Sequence, residues 1–530
     1  MSNKKLVLLL NTNKEYIRHI EESEVAQFAP ELSELFYSIT NTYIPLLSMF
    51  ENLERDGVPF KLQMVMTPIL CTLLEDPVVQ AQYVDYLDKL ISFGEKEKKR
   101  LSKEPALLEI AVKTLEKNKK TKSDFKEKYA MRLVPQFAEY QRKGHLELMA
   151  TTGSSAFLPF YTDIPEIINA QVEAGLLAHK NFFGEIPDGF WLPGLGYAEG
   201  VEKAVRSYGF NYTVLDSRST LFSKNIPENG IFYPCRFYNS LVAFTAQKNI
   251  ESVLYGEEGF AQNPVYRNER RDISFELPSK QISSFIAEGV SRYPSGYKYF
   301  NKSSSQDDVY KMDEASSQVK EDAISFIRMK NEELEKASSL AKNADFVSEV
   351  CVIDVENMRR TWHEGLEWIE ELFRNASVAE FDFDSCGSLI KNQYNLQKIT
   401  AYYASSLGDG YGENLLSSKN SWMMRYIRKA SERMVDLADR FPTDTGLKAR
   451  LLDLAAKELM IAQDLGWVKM LDEDIFPDYV KKVFTECIQA FTTVFDSLGS
   501  NTVSTEWLTN LEANHPLFPW MNYRIFSTKQ

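Results

Sequence analysis

The sequence predicts an α/β fold in which a parallel sheet, open or closed into a barrel, is followed by a helical C-terminal domain. Three observations carry this. Short apolar runs recur through the first two thirds of the chain with segments of helical length between them, the alternation that builds a parallel sheet. After Cys386 the pattern changes, and from Ser421 onward the apolar period is helical. The composition, 44% hydrophobic and 26% charged over 530 residues, supplies a sizeable core and excludes global disorder and fibrous classes.

The first strand is Lys5–Leu10. Its apolar run, Leu6–Leu10, is shorter than a signal-peptide core and meets Asn-Thr-Asn where a cleavage site would stand. Phe60–Met66, His145–Ala150, Asn211–Asp216 and Glu349–Val355 read as further strands. Between the second and third lies a lysine-rich stretch, Glu95–Tyr129, with apolar residues at Leu107, Leu108, Ile110, Ala111 and Leu115. Both charge signs are interspersed there, so it reads as a solvated helical hairpin inserted in the sheet. Asn301–Ser317, rich in Ser, Asp and Lys, reads as a surface loop or linker. The C-terminal helices are marked by Met423, Ile427, Ala430, Met434 and Leu437, then by Leu447, Leu451, Leu454 and Ala455, then by Val480, Phe484, Cys487, Phe491, Phe495 and Leu498.

Charge and cysteine usage narrow the function. With 61 basic against 75 acidic side chains, net −14, the chain is repelled by phosphate, which argues against nucleic acid or an anionic membrane as partner and leaves a neutral polymer such as a sugar chain. No run of 18 apolar residues is present. Cys71, Cys235, Cys351, Cys386 and Cys487 are odd in number, scattered and without a C-x-x-C pair, against a disulfide frame and a zinc site. The expectation is a cytoplasmic chain without metal or other cofactor.

Candidate chemistry follows from the strand ends, where barrels place their active groups. Cys351-Val-Ile-Asp-Val-Glu-Asn357 sets Asp354 and Glu356 on one face at the end of an otherwise buried strand, the best acidic pair by pattern. Trp362 and Trp368, in Trp362-His-Glu-Gly-Leu-Glu-Trp368, either face sugar rings or belong to the core. Gly189-Phe-Trp-Leu-Pro-Gly-Leu-Gly-Tyr197 is a turn in which Gly194 and Gly196 could admit a ligand to the backbone, without the form of a dinucleotide fingerprint. Glu147, between apolar neighbours, reads as structurally paired, and His145 and His363 form no local metal motif. Tyr233, Phe237, Tyr238, Phe244 and Tyr255 make an aromatic-rich region that would either stack sugars or fill a collapsed cleft.

A series of short motifs carries a resemblance. Thr42-Tyr-Ile-Pro-Leu-Leu47, Met66-Thr-Pro68 with Leu74-Glu-Asp-Pro77, Gly189-Phe-Trp-Leu-Pro193, and Asn263-Pro-Val-Tyr-Arg267 with Arg271-Asp-Ile273 come first. Asp354–Gly365, Asn420-Ser-Trp422, Ala462-Gln463 and Asn522-Tyr-Arg524 follow in the same order as in glycoside hydrolase family 57. The chain resembles that family's α-1,4-glucan branching enzymes over nearly its whole length. The resemblance implies a (β/α)7 barrel over residues 1–385 with a helical insertion near 90–140, and a C-terminal helical domain over 386–530. It implies an α-1,4-glucan or glycogen-like partner and retaining chemistry by a Glu nucleophile and an Asp acid/base, two carboxyls roughly 5–5.5 Å apart.

Asp354 matches the acid/base position. The nucleophile position holds Gly194, which cannot attack an anomeric carbon. The family's opening H-x-H reads Asn11-Thr-Asn13, Leu407 stands where branching enzymes carry tryptophan, and Asp464-Leu-Gly-Trp467 lacks the family's Ser-Asp. Asn11, Asn13, Trp191, Trp362, Trp422 and Trp467 are the residues expected to contact glucan. Departures that fall on site motifs while scaffold motifs survive imply a catalytically impaired, glucan-associated protein. Two alternatives stand beside it: an active transferase or hydrolase using another carboxylate, Asp216 at a strand end or Glu199, and a non-catalytic interaction scaffold.

Overall fold

The computed structural model describes residues 3–19, 30–303, 305, 308–390, 395–500 and 504–529. Its strands are β1 (Lys4–Thr12), β2 (Leu62–Met66), β3 (Leu146–Met149), β4 (Gly189–Phe190), β5 (Tyr212–Leu215), β6 (Cys235–Arg236), β7 (Val242–Thr245), β8 (Val347–Asp354) and β9 (Asp382–Phe383). Strands β3, β2, β1 and β8 pair in parallel in that order, as do β4, β5 and β7. Two parallel bridges, Ala150 to Phe190 and Ala246 to Val350, join the two sets. Seven parallel strands therefore close on themselves as a barrel. β6 adds antiparallel to β7, and β9 pairs with the start of β1.

Closure explains why the strands read as continuous apolar runs, since both faces are covered. Along β1, Val7 and Leu9 point into the barrel with Val65, Met149, Val214, Phe244 and Val350. Leu6, Leu8 and Leu10 face the surrounding helices. The lower barrel also holds a polar knot, in which Gln63 Nε2 donates to the Tyr212 hydroxyl at 2.8 Å and that hydroxyl donates to Glu147. Glu147 is thus structurally paired, as its alternation with apolar neighbours suggested.

The inserted hairpin is longer than the charge pattern implied. It comprises helices Pro77–Arg100 and Pro105–Ser123. The missed start is signalled by Asp76, whose Oδ1 accepts the N–H groups of Val78 and Val79 ahead of a proline at the first helical position. Gly94 sits where a Cβ would lie 1.9 Å from the Tyr297 hydroxyl, so the hairpin packs directly on the 297 loop.

A second correction concerns Asn301–Ser317. Residues 304, 306 and 307 lie outside the described residues, but the stretch from Met312 is the first turn and a half of a helix running to Leu340. Ala315, Val319, Ala323, Phe326, Ile327 and Leu334 form its buried face, a helical period that outweighs the polar composition at its start.

The C-terminal helices are Trp422–Arg440, Gly446–Ala462, Leu465–Asp472, Pro477–Ser500 and Thr505–Asn514. Gly446–Ala462 is buried along most of its length. A buried amide chain anchors it to the barrel: Gln171 Nε2 donates to Gln463 Oε1 at 2.8 Å, and Gln463 Nε2 donates to Ser431 Oγ at 3.0 Å. The Ala462-Gln463 motif is therefore a structural joint.

Candidate active site

A cavity of about 730 Å³ opens at the C-terminal ends of the strands, the end at which such barrels carry their active groups. Asn11 from β1, Thr67 after β2, Thr151 after β3, Trp191 after β4, Asp216 after β5 and Asp354 from β8 converge on it. Leu407 and Asp409 from the loop near 405–410, and Leu465 and Lys469 from a C-terminal helix, close the other side.

Asp354 ends β8 beside Asn11 in the ladder. It also caps the helix Val355–Thr361, its Oδ1 accepting the N–H groups of Glu356 and Asn357, each at 3.0 Å. The carboxyl is open to the cavity, but the surrounding walls desolvate it and push its pKa up. The Asn357 N–H opposes that rise and the Glu356 charge adds to it. An acid held in its protonated form longer than usual suits proton donation.

Glu356 is not on the strand face with Asp354, as the pattern suggested, but in the first turn of the following helix. It still lines the cavity. Lys14 Nζ lies 2.8 Å from it, and the Ser38 and Tyr43 hydroxyls both donate to it. That carboxylate is fully engaged in holding the cleft floor.

Gly194 occupies the wall opposite in a left-handed conformation, φ +61°. A Cβ built there would stand 2.6 Å from Cδ1 of Leu407. The two segments are clamped, with the Ser406 N–H and Oγ both donating to the Gly194 carbonyl at 2.8 and 2.9 Å. Arg218 fixes the loop further, donating from Nε to Asp216 Oδ1 at 2.8 Å, from Nη2 to the Ser405 carbonyl at 2.6 Å, and from Nη1 to the Asp409 carbonyl. Asp216 is accordingly bound by Arg218 and by the Arg218 N–H. Glu199 is exposed and outside the cavity lining.

Of the residues expected to contact a ligand, Asn11, Asn13 and Trp191 line the cavity, and Asn13 Oδ1 accepts Ser155 Oγ–H at 2.8 Å. Three tryptophans do not reach it. Trp362 is fully buried against Tyr266 and Trp368, the core alternative for that pair. Trp467 is fully buried with its indole N–H on the Ile461 carbonyl, because Asp464 caps the short helix and turns the ring inward. Trp422 packs edge-on against Phe484 and donates to the Lys419 carbonyl. Among the aromatic-rich group, Phe237 and Phe244 are buried, Tyr233 packs on Phe346, and Tyr238 is exposed away from the cavity. Tyr255 is half-buried, its hydroxyl raised by desolvation and then by the nearby Asp354 charge, and none of the five rings lines the open cleft. Lys14, Arg218, Lys248, Arg360 and Lys469 also line it. Lys14, Arg218 and Lys469 sit one or two residues from the singled-out Asn13, Asp216 and Trp467.

Residues 7–355 match the family profile of glycosyl hydrolase family 57. The chain belongs to glycoside hydrolase family 57. Residues 426–526 match the 1,4-alpha-glucan branching enzyme C-terminal profile. A family 57 relative, the 1,4-alpha-glucan branching enzyme of Thermococcus kodakarensis, is 22% identical over 480 residues, 84% of this chain and 67% of that protein. The crystal structure of the alpha-amylase AmyC of Thermotoga maritima superposes with TM-score 0.90 at 27% identity, covering 99% of each chain. The GH57-type branching enzyme of Pyrococcus horikoshii gives 0.86 at 21%, covering 100% and 97%. The chain has the family 57 fold, a (β/α)7 barrel with a C-terminal helical domain.

Proposed function

We propose that this family 57 protein holds an α-1,4-glucan chain in the barrel-top cleft and is impaired in cleaving or transferring it. The glucan assignment is supported by the T. kodakarensis relative, a 1,4-alpha-glucan branching enzyme, and by the branching-enzyme profile at the C-terminus. The impairment rests on one observation: Gly194, the position that the family resemblance gives to the nucleophile, has a left-handed backbone, and Leu407 stands in the space a side chain would need. Asp354 is then an acid without its covalent partner. Removing one member of a coupled catalytic pair costs roughly 10⁴–10⁶ in kcat.

The open, polar cleft favours ligand binding over the scaffold reading. Asp216 and Glu199 are weak replacements, the first because Arg218 holds it and the second because it is outside the lining. Calorimetric titration with maltoheptaose tests the proposal: saturable binding, weakened by Trp191→Ala, with the sugar recovered intact. Absence of heat at millimolar sugar would overturn the glucan assignment.

A further inference from the structure

A second, smaller cavity of about 60 Å³ lies between the inserted hairpin and the barrel wall, lined by Asn41, Lys113, Lys117, Arg267, Ser295 and His363 among others. By the same measure one water needs about 10–15 Å³, so the space matches an ion of four or five heavy atoms and excludes a pyranose. No carboxylate lines it. Arg267, 6% exposed, directs Nε to Glu269 at 2.8 Å and lines the cavity. Glu269 is itself taken up by Lys298 at 2.6 Å and by the Tyr37 hydroxyl. Arg359, also buried, has an Nε without a hydrogen-bond partner among the described residues.

The geometry points to a site for a small tetrahedral oxyanion, inorganic phosphate or the phosphoryl group of a phosphosugar, held by Lys117 and Arg267 with the exposed Lys113, ion-paired to Glu109 at 2.8 Å, beside them. The Asn41 amide and the Ser295 hydroxyl are committed to the Tyr37 carbonyl and to Asp272. The electrostatics of the pocket agree. Desolvation draws the Lys117 ammonium down to about 7, with repulsion from Arg359 and Arg267 adding to it. His363 is held well below its usual range by desolvation and then by the same cations. Of the nearby acids, burial pushes Glu364 up to about 7 and also raises Glu367, whereas Glu269, held down to about 2 against its desolvation by Arg267 and Lys298, stays ionised and balances those two cations in part. A forked guanidinium beside lysine ammonium groups is what phosphate recognition uses. The site is separate from the glucan cleft and does not depend on the glucan reading.

Calorimetry and thermal denaturation of the full chain test this, with sodium phosphate against sodium chloride at matched ionic strength. Phosphate is expected to bind saturably and raise Tm by about 1 °C at ten times its dissociation constant. Lys117→Met, on a half-buried and near-isosteric position, is expected to bind at least about tenfold more weakly, since it removes a charge-assisted donor. Lys113→Met, at an exposed position whose partner is the exposed Glu109, gives a second reading if the first variant folds poorly. General salting-out by phosphate would persist in both variants. Equal responses to phosphate and chloride, or full phosphate binding in both variants, would overturn the site. Glucose 6-phosphate in a parallel titration names the source: weaker binding than phosphate assigns the free ion, tighter binding a phosphosugar whose ring lies outside the cavity.

Discussion

Gly194 and Leu407 act as a pair. Replacing Gly194 alone with Glu asks a bulky residue to hold φ +61°, at a cost of about 1–3 kcal/mol, and to displace the half-buried Leu407 side chain, at a smaller one. Gly194→Glu is therefore expected to lower Tm and gain no activity, while adding Leu407→Ala should recover part of the lost stability. Denaturant melts of the three proteins check this, and non-interacting substitutions would sum without recovery. Asp354 makes a complementary case. Its folded-state pKa lies above its unfolded value of about 4, so the native chain binds more protons, and stability is lost as pH rises through that window. Asp354→Asn is expected to raise Tm at pH 7 and to leave it unchanged near pH 3. Glu364, fully buried and raised from 4.5 to about 7, follows the same sign with a penalty on the order of 3 kcal/mol above pH 7. Glu364→Gln should flatten the pH dependence of Tm between 5 and 8, and an unchanged slope would contradict that assignment.

At the scale of elements, the strands expected at Lys5–Leu10, Phe60–Met66, His145–Ala150, Asn211–Asp216 and Glu349–Val355 all form, within a few residues of their limits. They were legible because a strand buried on both faces needs an unbroken apolar run. β4 was not, because only Gly189 and Phe190 are laddered and the rest of the segment is the turn that presents Gly194. β7, Val242–Thr245, is four residues long and lies within the aromatic-rich region, where composition hides period. The tryptophans show the limit for sites: Trp362 and Trp467 lie in family motifs, yet Trp362, between two helices, and Trp467, in the first turn of Leu465–Asp472, both bury their rings in the core. Leu407 was marked by the resemblance, but its contact with Gly194 spans more than 200 residues, and sequence spacing carries no such distance. The loop bearing it is held by Arg218, which ties Ser405, Asp409 and Asp216 together. Arg218→Ala is expected to speed amide hydrogen exchange at Ser405 and Ser406 while sparing β5, and unchanged protection there would remove Arg218 as the loop's anchor.

Across the whole molecule, the barrel brings seven strand ends to one rim, and the C-terminal helices supply the far wall through Leu465 and Lys469. The result is an open and polar cleft lined by Asp354 and Gly194, the positions that the family resemblance assigns to the acid and to the nucleophile. A cleft of about 730 Å³ accommodates sugar units, and its walls offer asparagine, carboxylate and cationic groups suited to hydroxyls. Chain-length analysis of amylose and glycogen incubated with the pure protein, run beside Asp354→Asn, addresses the central claim directly. Identical chain-length profiles for wild type, variant and a protein-free control are expected. Branching or shortening by the wild type that vanishes in Asp354→Asn would contradict the claim and turn attention to Asp216 and Glu199 as the missing nucleophile.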